Sequence, residues 1–363
     1  MKVSTIIIFF ISLTLSELKL RDITTMELTR EMGIGINLGN TLESCGDWIW
    51  EYGDHSVKSY ETAWGSPEIQ KEMIEGIKKE GFGVMRLPVH WFNLMSDDFT
   101  ISKDYMARVK QIVDWAIDAK LYVILNIHHD EKEFFKNMPS KIEETISNFR
   151  KIWTQISDTF KDYDDHLMFE ALNEEACWGD VFNQWSGSDT GKKEVFDYTF
   201  KLNQAFVDVI RTSSGNNPER HLLISGYCTD ATLTCDSMFK MPSDPMNRLA
   251  VSIHYYTPPT FCILSEDADW GKAQSTWGNL LLLSSSSFSS SSCPKYFLNN
   301  FSKNSQNIVE FLAEVKAKSN PFCFANALAS DSLTSSFKNK SLLFPTIPIT
   351  IFSFIISLVL SNQ

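Results

Sequence analysis

An excess of positive charge is missing from this chain. Its 363 residues carry 33 Lys and Arg against 45 Asp and Glu, a formal net charge of −12. Phosphate binding needs the opposite sign, which argues against a nucleic-acid partner. Nucleotide signatures are absent as well: no GxGxxG follows the first apolar run and no P-loop occurs anywhere, so a nucleotide-binding sheet loses its usual support. Metal-ligand spacing is also lacking. His128 and His129 are adjacent with no partner cluster beside them, and no metal or other cofactor is expected. The cysteines number 7, and an odd count leaves at least one thiol unpaired in an exported chain. Cys228 and Cys235 flank a short loop that they could close, although spacing alone does not establish a pair. The last absence is local. After Gly278 there is no Gly and no Trp, although the whole chain has 16 and 10 of them.

What remains is rich in core material, with 43% hydrophobic residues. An acidic, Trp-rich chain suits a neutral ligand such as a sugar better than a charged polymer. Met1 to Ser16 has a Lys near its start, an apolar run from Val3 to Leu15, and small residues at Thr14 and Ser16. That pattern reads as a signal peptide, too short to span a bilayer with margin, and it implies secretion. From Glu27 to about Tyr256 the chain alternates short apolar runs with amphipathic stretches. Strands are predicted over 33–40, 82–89, 121–127, 221–226 and 249–255, with one more beginning at Leu167. Helices are predicted from Ser66-Pro67 (N-cap and first position) to Gly81, and over 104–119, 141–160 and 193–212. Strictly alternating strands and helices imply parallel strands with right-handed crossovers. The polar residues gather at strand ends on one side, which favours a (β/α)8 barrel over a doubly wound sheet. Only about six of its βα units are recognisable, and the last two strands are missing or replaced.

The organising stretch is LMFEALNEE at 167–175: an apolar run ending in Asn173-Glu174 at a strand tip. Around it stand GINLGNTLE at 35–43, ETAWGSP at 61–67, RLPVHW at 86–91, NIHHD at 126–130 and SIHYYTP at 252–258. Six such pieces in order, five of them on strand ends, resemble glycoside hydrolase family 5, the cellulase-type barrels, and most nearly its endo-β-1,4-glucanases. The resemblance covers about 27–278, with Glu175 where the family more often has Pro.

The resemblance implies endo-acting, retaining hydrolysis of β-1,4-glucan. Retention needs one carboxylic acid to protonate the leaving oxygen and a carboxylate to attack the anomeric carbon, about 5–5.5 Å apart. Glu174 is the expected acid/base, its neutral form favoured by a rim with aromatic walls. Asn173 is expected to donate to the sugar 2-hydroxyl. Arg86, on an apolar strand, needs a buried anionic partner, and the resemblance makes that partner the nucleophile. His128, His254 and Tyr256 are expected to line the subsite of the cleaved sugar. Tyr256 would bond the nucleophile, and the two His would orient hydroxyls or Glu174. His129 and His90 are supporting residues or satisfied core histidines. Asn40, Trp64, Trp178 and Trp185 are candidate sugar contacts, since indole faces stack on pyranose rings, although Trp is more often core.

The family's nucleophile, a Glu at the tip of a seventh strand, is not recognisable after Trp277-Gly278. Residues 279–363 hold the Ser run 284–292, broken only by Phe288, and are otherwise rich in Phe, Leu, Asn and Lys. A glycine-free segment is poorly suited to barrel turns, and the Ser run is low-complexity. The nearest lexical candidate for the nucleophile is Glu310, in NIVEFLAEV, whose spacing to Glu314 and Lys316 reads better as a surface helix. The domain reading is therefore a signal peptide at 1–16, a partial barrel at 17–278, and a segment at 279–363 that a frame shift, a retained intron or a faulty gene model would explain. Its apolar end, Leu342 to Leu360, follows small residues and a polar spacer in the order of a glycolipid-anchor or membrane signal. Without an attacking carboxylate the chain is expected to hydrolyse little. The other reading is a non-catalytic remnant that binds β-glucan weakly or does not fold alone. No protein partner is legible.

Overall fold

A computed structural model describes residues 20–129, 135–174, 177–256 and 258–274. The expected signal peptide at 1–16, Glu175, and everything expected of 279–363 lie outside the described residues. Six strands form one parallel sheet in sequential order: β1 (Gly35–Asn37), β2 (Val84–Leu87), β3 (Tyr122–Asn126), β4 (Leu167–Glu170), β5 (Leu222–Asp230) and β6 (Leu249–His254). The sheet is curled as part of a (β/α)8 barrel. Helices α1 (Thr25–Met32), α2 (Asp47–Tyr52), α3 (Val57–Glu61), α4 (Lys71–Lys79), α5 (Lys103–Asp118), α6 (Ile142–Thr159), α7 (Lys192–Thr212), α8 (Ala231–Thr234) and α9 (Pro259–Cys262) fill the connections.

Strand side chains alternate between faces with period two, and the two faces bury different things. Met85, Leu87, Val123, Leu125, Leu167, Phe169, Leu222, Ile224, Leu249 and Val251 belong to the large core shared with the outer helices, with Trp153 and Phe206 among its members. The intervening residues Val84, Ile124, Met168, Leu223 and Ala250 form a second cluster with Leu28 and Met32 of α1. The first helix thus closes the N-terminal end of the sheet's interior. It is fixed by a capping box in which Thr24 Oγ1 accepts from Glu27 N and Glu27 Oε2 accepts from Thr24 N. Its end passes so close to Gly83 that a Cβ there would sit 1.9 Å from the Met32 carbonyl oxygen. One step further toward the C-terminal end, the same interior face carries Arg86, Asn126, Glu170 and Ser252, and then His254. The apolar floor gives way to a polar layer, and the strand tips stand above it.

Two local expectations are corrected. The helix predicted from Pro67 begins at Lys71, with Gln70 as its N-cap. Buried Glu61 takes the Ile69 N–H at 2.5 Å and is itself gripped by Arg108 at 2.9 and 2.7 Å. That tie holds the Ser66–Gln70 segment out of the helix. Cys228 pairs with Cys177, not with Cys235, and their Cα atoms lie 5.0 Å apart. Chain folding brings the two together across 51 residues of sequence, which loop spacing could not reveal.

Candidate active site

Glu174 follows β4 by four residues and stands at the C-terminal rim, its side chain 43% exposed. Two groups from the end of β6 reach its Oε1: His254 Nδ1 at 2.5 Å and the Tyr256 hydroxyl at 3.4 Å. His254 was expected to orient Glu174, and the geometry joins them. Tyr256 was expected to bond the nucleophile, which lies outside the described residues; among the described residues its hydroxyl donates to Glu174. The ring of His254 is buried, and its Nε2 has no partner among the described residues.

The protonation of Glu174 departs from expectation. Burial pushes its carboxyl upward, but the hydrogen bond and charge of His254, the charge of Arg86 and the Tyr256 hydroxyl outweigh it. The net effect holds the group below the usual carboxylate range. Glu174 is therefore ionised near neutral pH in this arrangement. A rim that favoured the neutral form would need a second negative charge close by.

Beneath Glu174 lies a buried polar network. Arg86 does find an anion, but it is Glu170: Nε lies 2.6 Å from Oε2, with side-chain exposures of 3% and 0%. The nucleophile that the resemblance gives Arg86 as its partner lies outside the described residues. Glu170 is two positions beyond Met168 on the inward face of β4, directly in the path of the Arg86 side chain. Arg86 Nη2 also donates to Asn173 Oδ1 at 2.9 Å, so the carboxamide oxygen of Asn173 is engaged. His128 is buried with Nδ1 3.1 Å from Asn126 Nδ2. Burial, reinforced by Arg86 and the neighbouring histidines, holds its pKa well below the usual histidine value, and the ring is neutral at pH 7. His90 is buried, with Nδ1 3.2 Å from the His128 carbonyl oxygen.

The remaining expected contacts separate into two groups. His129, with φ 61°, sits edge-on to His128, with the half-buried Trp64 5.8 Å away. Asn40 takes a left-handed φ of 59°, and its N–H donates to the buried carboxylate of Glu43, which also accepts from Thr41 N at 3.0 Å. Burial raises the Glu43 carboxyl, and those backbone donors and Arg86 oppose the shift. Trp178 is corrected as a sugar contact: it is 3% exposed, donates to the Phe135 carbonyl oxygen, and packs on Tyr198 and Tyr227. Trp185 stands on the outer surface, 84% exposed.

Glu170 and Glu43 are the site residues that sequence reasoning missed. A carboxylate on the inward parity of an apolar strand was the available signal for Glu170. For metals, Asp164, Asp165 and His166 cluster at the opposite end of β4. Arg21 occupies Asp165 and His166 occupies Asp164, so both carboxylates already have a partner.

A parallel barrel sheet with an Asn-Glu pair, histidines and a buried Arg gathered at its strand tips belongs to the class that builds binding sites on that face. The chain belongs to glycosyl hydrolase family 5: the family profile, Cellulase (glycosyl hydrolase family 5), matches residues 46–311. Endoglucanase A of Clostridium longisporum is 36% identical over 70% of this chain and 46% of its own length. Endoglucanase A of Ruminococcus albus is 36% identical over 69% of this chain and 65% of its own. The chain thus spans about half to two thirds of these curated relatives. Among solved structures, a broad-specificity GH5-4 endoglucanase from an uncultured bovine rumen ciliate has TM-score 0.60 at 37% identity, covering 71% of each chain. A family 5 lichenase from Caldicellulosiruptor sp. F32 in complex with cellotetraose has TM-score 0.63 at 34% identity, covering 75% of this chain and 72% of that one.

Proposed function

We propose that this chain is a secreted, endo-acting β-1,4-glucan hydrolase working with retention of configuration, with Glu174 as the proton donor and acceptor. The observation that carries this is the placement of Glu174 at the rim, held at Oε1 by His254 and Tyr256 above the Arg86–Asn173 contact. In the first step Glu174 would give its proton to the departing glycosidic oxygen while a carboxylate attacks the anomeric carbon. In the second it would take a proton from the water that releases the sugar. An attacking carboxylate about 5–5.5 Å away would supply the negative charge that raises Glu174 into its acid form. Asn173, its oxygen occupied by Arg86, has its amide N–H groups left for a sugar hydroxyl. The net charge of −12 suits a neutral polymer, and the match to a lichenase holding cellotetraose supports a β-glucan.

A second reading is that the chain binds β-glucan without cleaving it. It is favoured by one observation: no strand-tip Glu of the family kind is recognisable after 278, although the family profile runs on to 311. Hydrolysis of carboxymethylcellulose and binding of cellotetraose by the purified full chain separate the two. Hydrolysis lost in Glu174→Ala supports the enzyme, with Glu310→Ala then testing the one lexical candidate for the attacking group. Cellotetraose binding with no hydrolysis supports the second reading. Secretion is tested by N-terminal sequencing of the exported protein, which should begin near Glu17.

A further inference from the structure

Glu170 touches no candidate ligand position, yet three strands converge on it. Its Oε2 accepts from Arg86 Nε at 2.6 Å and from Asn126 Nδ2 at 3.1 Å, and its Oε1 accepts from Ser252 Oγ at 2.6 Å. Arg86 and Asn126 carry the contact onward. Arg86 reaches Asn173 Oδ1. Asn126 shares its amide nitrogen between Glu170 and His128 Nδ1, while its Oδ1 accepts from Val89 N at 3.3 Å.

The direction of these bonds follows from one charge. A flipped Asn126 would set its carbonyl oxygen against the Glu170 carboxylate, so the anion forces the NH2 inward. That NH2 has only hydrogens to offer His128, so Nδ1 must accept and the ring proton must sit on Nε2. Arg86 likewise has only hydrogens to offer Asn173, so the oxygen of that carboxamide turns inward and its NH2 outward.

We propose that Glu170 is a positioning residue whose negative charge, relayed through Arg86 and Asn126, makes Asn173 and His128 hydrogen-bond donors toward the sugar. This deepens the proposed function and rests on it for the identity of the ligand. Both outer groups then present N–H to hydroxyl oxygens, so each hydroxyl keeps its own proton to give elsewhere.

The test is nitrogen NMR of the full chain with labelled histidine at pH 7.5, with His128 assigned by His128→Gln. The wild-type chain should show His128 neutral with its proton on Nε2; a proton on Nδ1 overturns the proposal without any variant being made. Glu170→Gln removes the charge and keeps the shape. It should shift His128 to a mixture of tautomers and weaken cellotetraose binding about 3–10-fold, the worth of one neutral hydrogen bond. Ser252→Ala removes one bond to Glu170 but leaves the charge, and should leave the tautomer unchanged. A Glu170→Gln chain that is merely less stable, with tautomer and affinity as in wild type, would reduce Glu170 to a structural ion pair. The tautomer readout needs no hydrolysis, so a chain that cleaves no glucan but carries the Nε2 proton supports this proposal while overturning the enzyme reading.

Discussion

His221 makes the stability of this fold sensitive to acid. Its ring is 1% exposed, Nδ1 lies 2.8 Å from Thr25 Oγ1, and Nε2 has no partner among the described residues. Burial lowers its pKa, and the nearby charges of Arg248, Arg211, Arg21 and Arg220 lower it further, from 6.5 to about 3. Above pH 6.5 the ring is neutral in both folded and unfolded chains, so it costs nothing. Below 6.5 the unfolded chain takes up a proton that the folded chain refuses until about pH 3. Stability is therefore lost at about 1.4 kcal/mol per pH unit across that window, or about 5 kcal/mol in total. This is comparable with the whole stability of many domains, about 5–15 kcal/mol. The assay is urea unfolding of the wild-type chain and His221→Gln at several pH values between 7.5 and 4. The difference between the two should be flat above pH 7. Below pH 6 it should move in favour of the variant by about 1.4 kcal/mol per unit. A difference that stays constant with pH would refute the reasoning, because every other titrating group is common to both chains.

Arg220→Met should destabilise the fold by at least about 3 kcal/mol in urea titrations, since it strands buried acceptors now served by the guanidinium. Those acceptors are Asn217 Oδ1 and the carbonyl oxygens of Asp164, Leu167, Phe160 and Tyr163. Gly83→Ala should cost about 1–3 kcal/mol by the same measurement, because its methyl meets the Met32 carbonyl oxygen and displaces α1 from the sheet interior. Gly81→Ala, at φ +97° with open space around it, should show backbone strain alone and a smaller loss.

The strand and helix order was legible because the periods of two and 3.6 are strong where both faces are buried, as from Val84 to Leu87 and from Leu167 to Glu170. The strand-tip positions of His128, Asn173, Glu174 and His254 followed from that order and from the family motifs. What escaped depended on contacts between distant segments. The start of α4 is set by Glu61 capturing the Ile69 N–H, which no local propensity encodes. The partner of Arg86 is Glu170, 84 residues away, and the same strand parity that placed Met168 inward would have pointed to it. Trp178 looked like a sugar platform because indoles serve both roles, and only its burial against Tyr227 decides between them. The α1 cap, by contrast, is local and is written in the sequence as Thr24 and Glu27.

The role of Glu174 is tested most directly by comparing two substrates of the full chain and its Glu174→Ala variant. Carboxymethylcellulose has a poor leaving group that needs a proton, whereas dinitrophenyl β-cellobioside expels a stable phenolate without one. A general acid contributes about 10²–10⁴-fold, so the variant should lose about that much on the polymer and far less in the first step on the aryl glycoside. Equal losses on both substrates, or undiminished hydrolysis of the polymer, would contradict the assignment of proton transfer to Glu174.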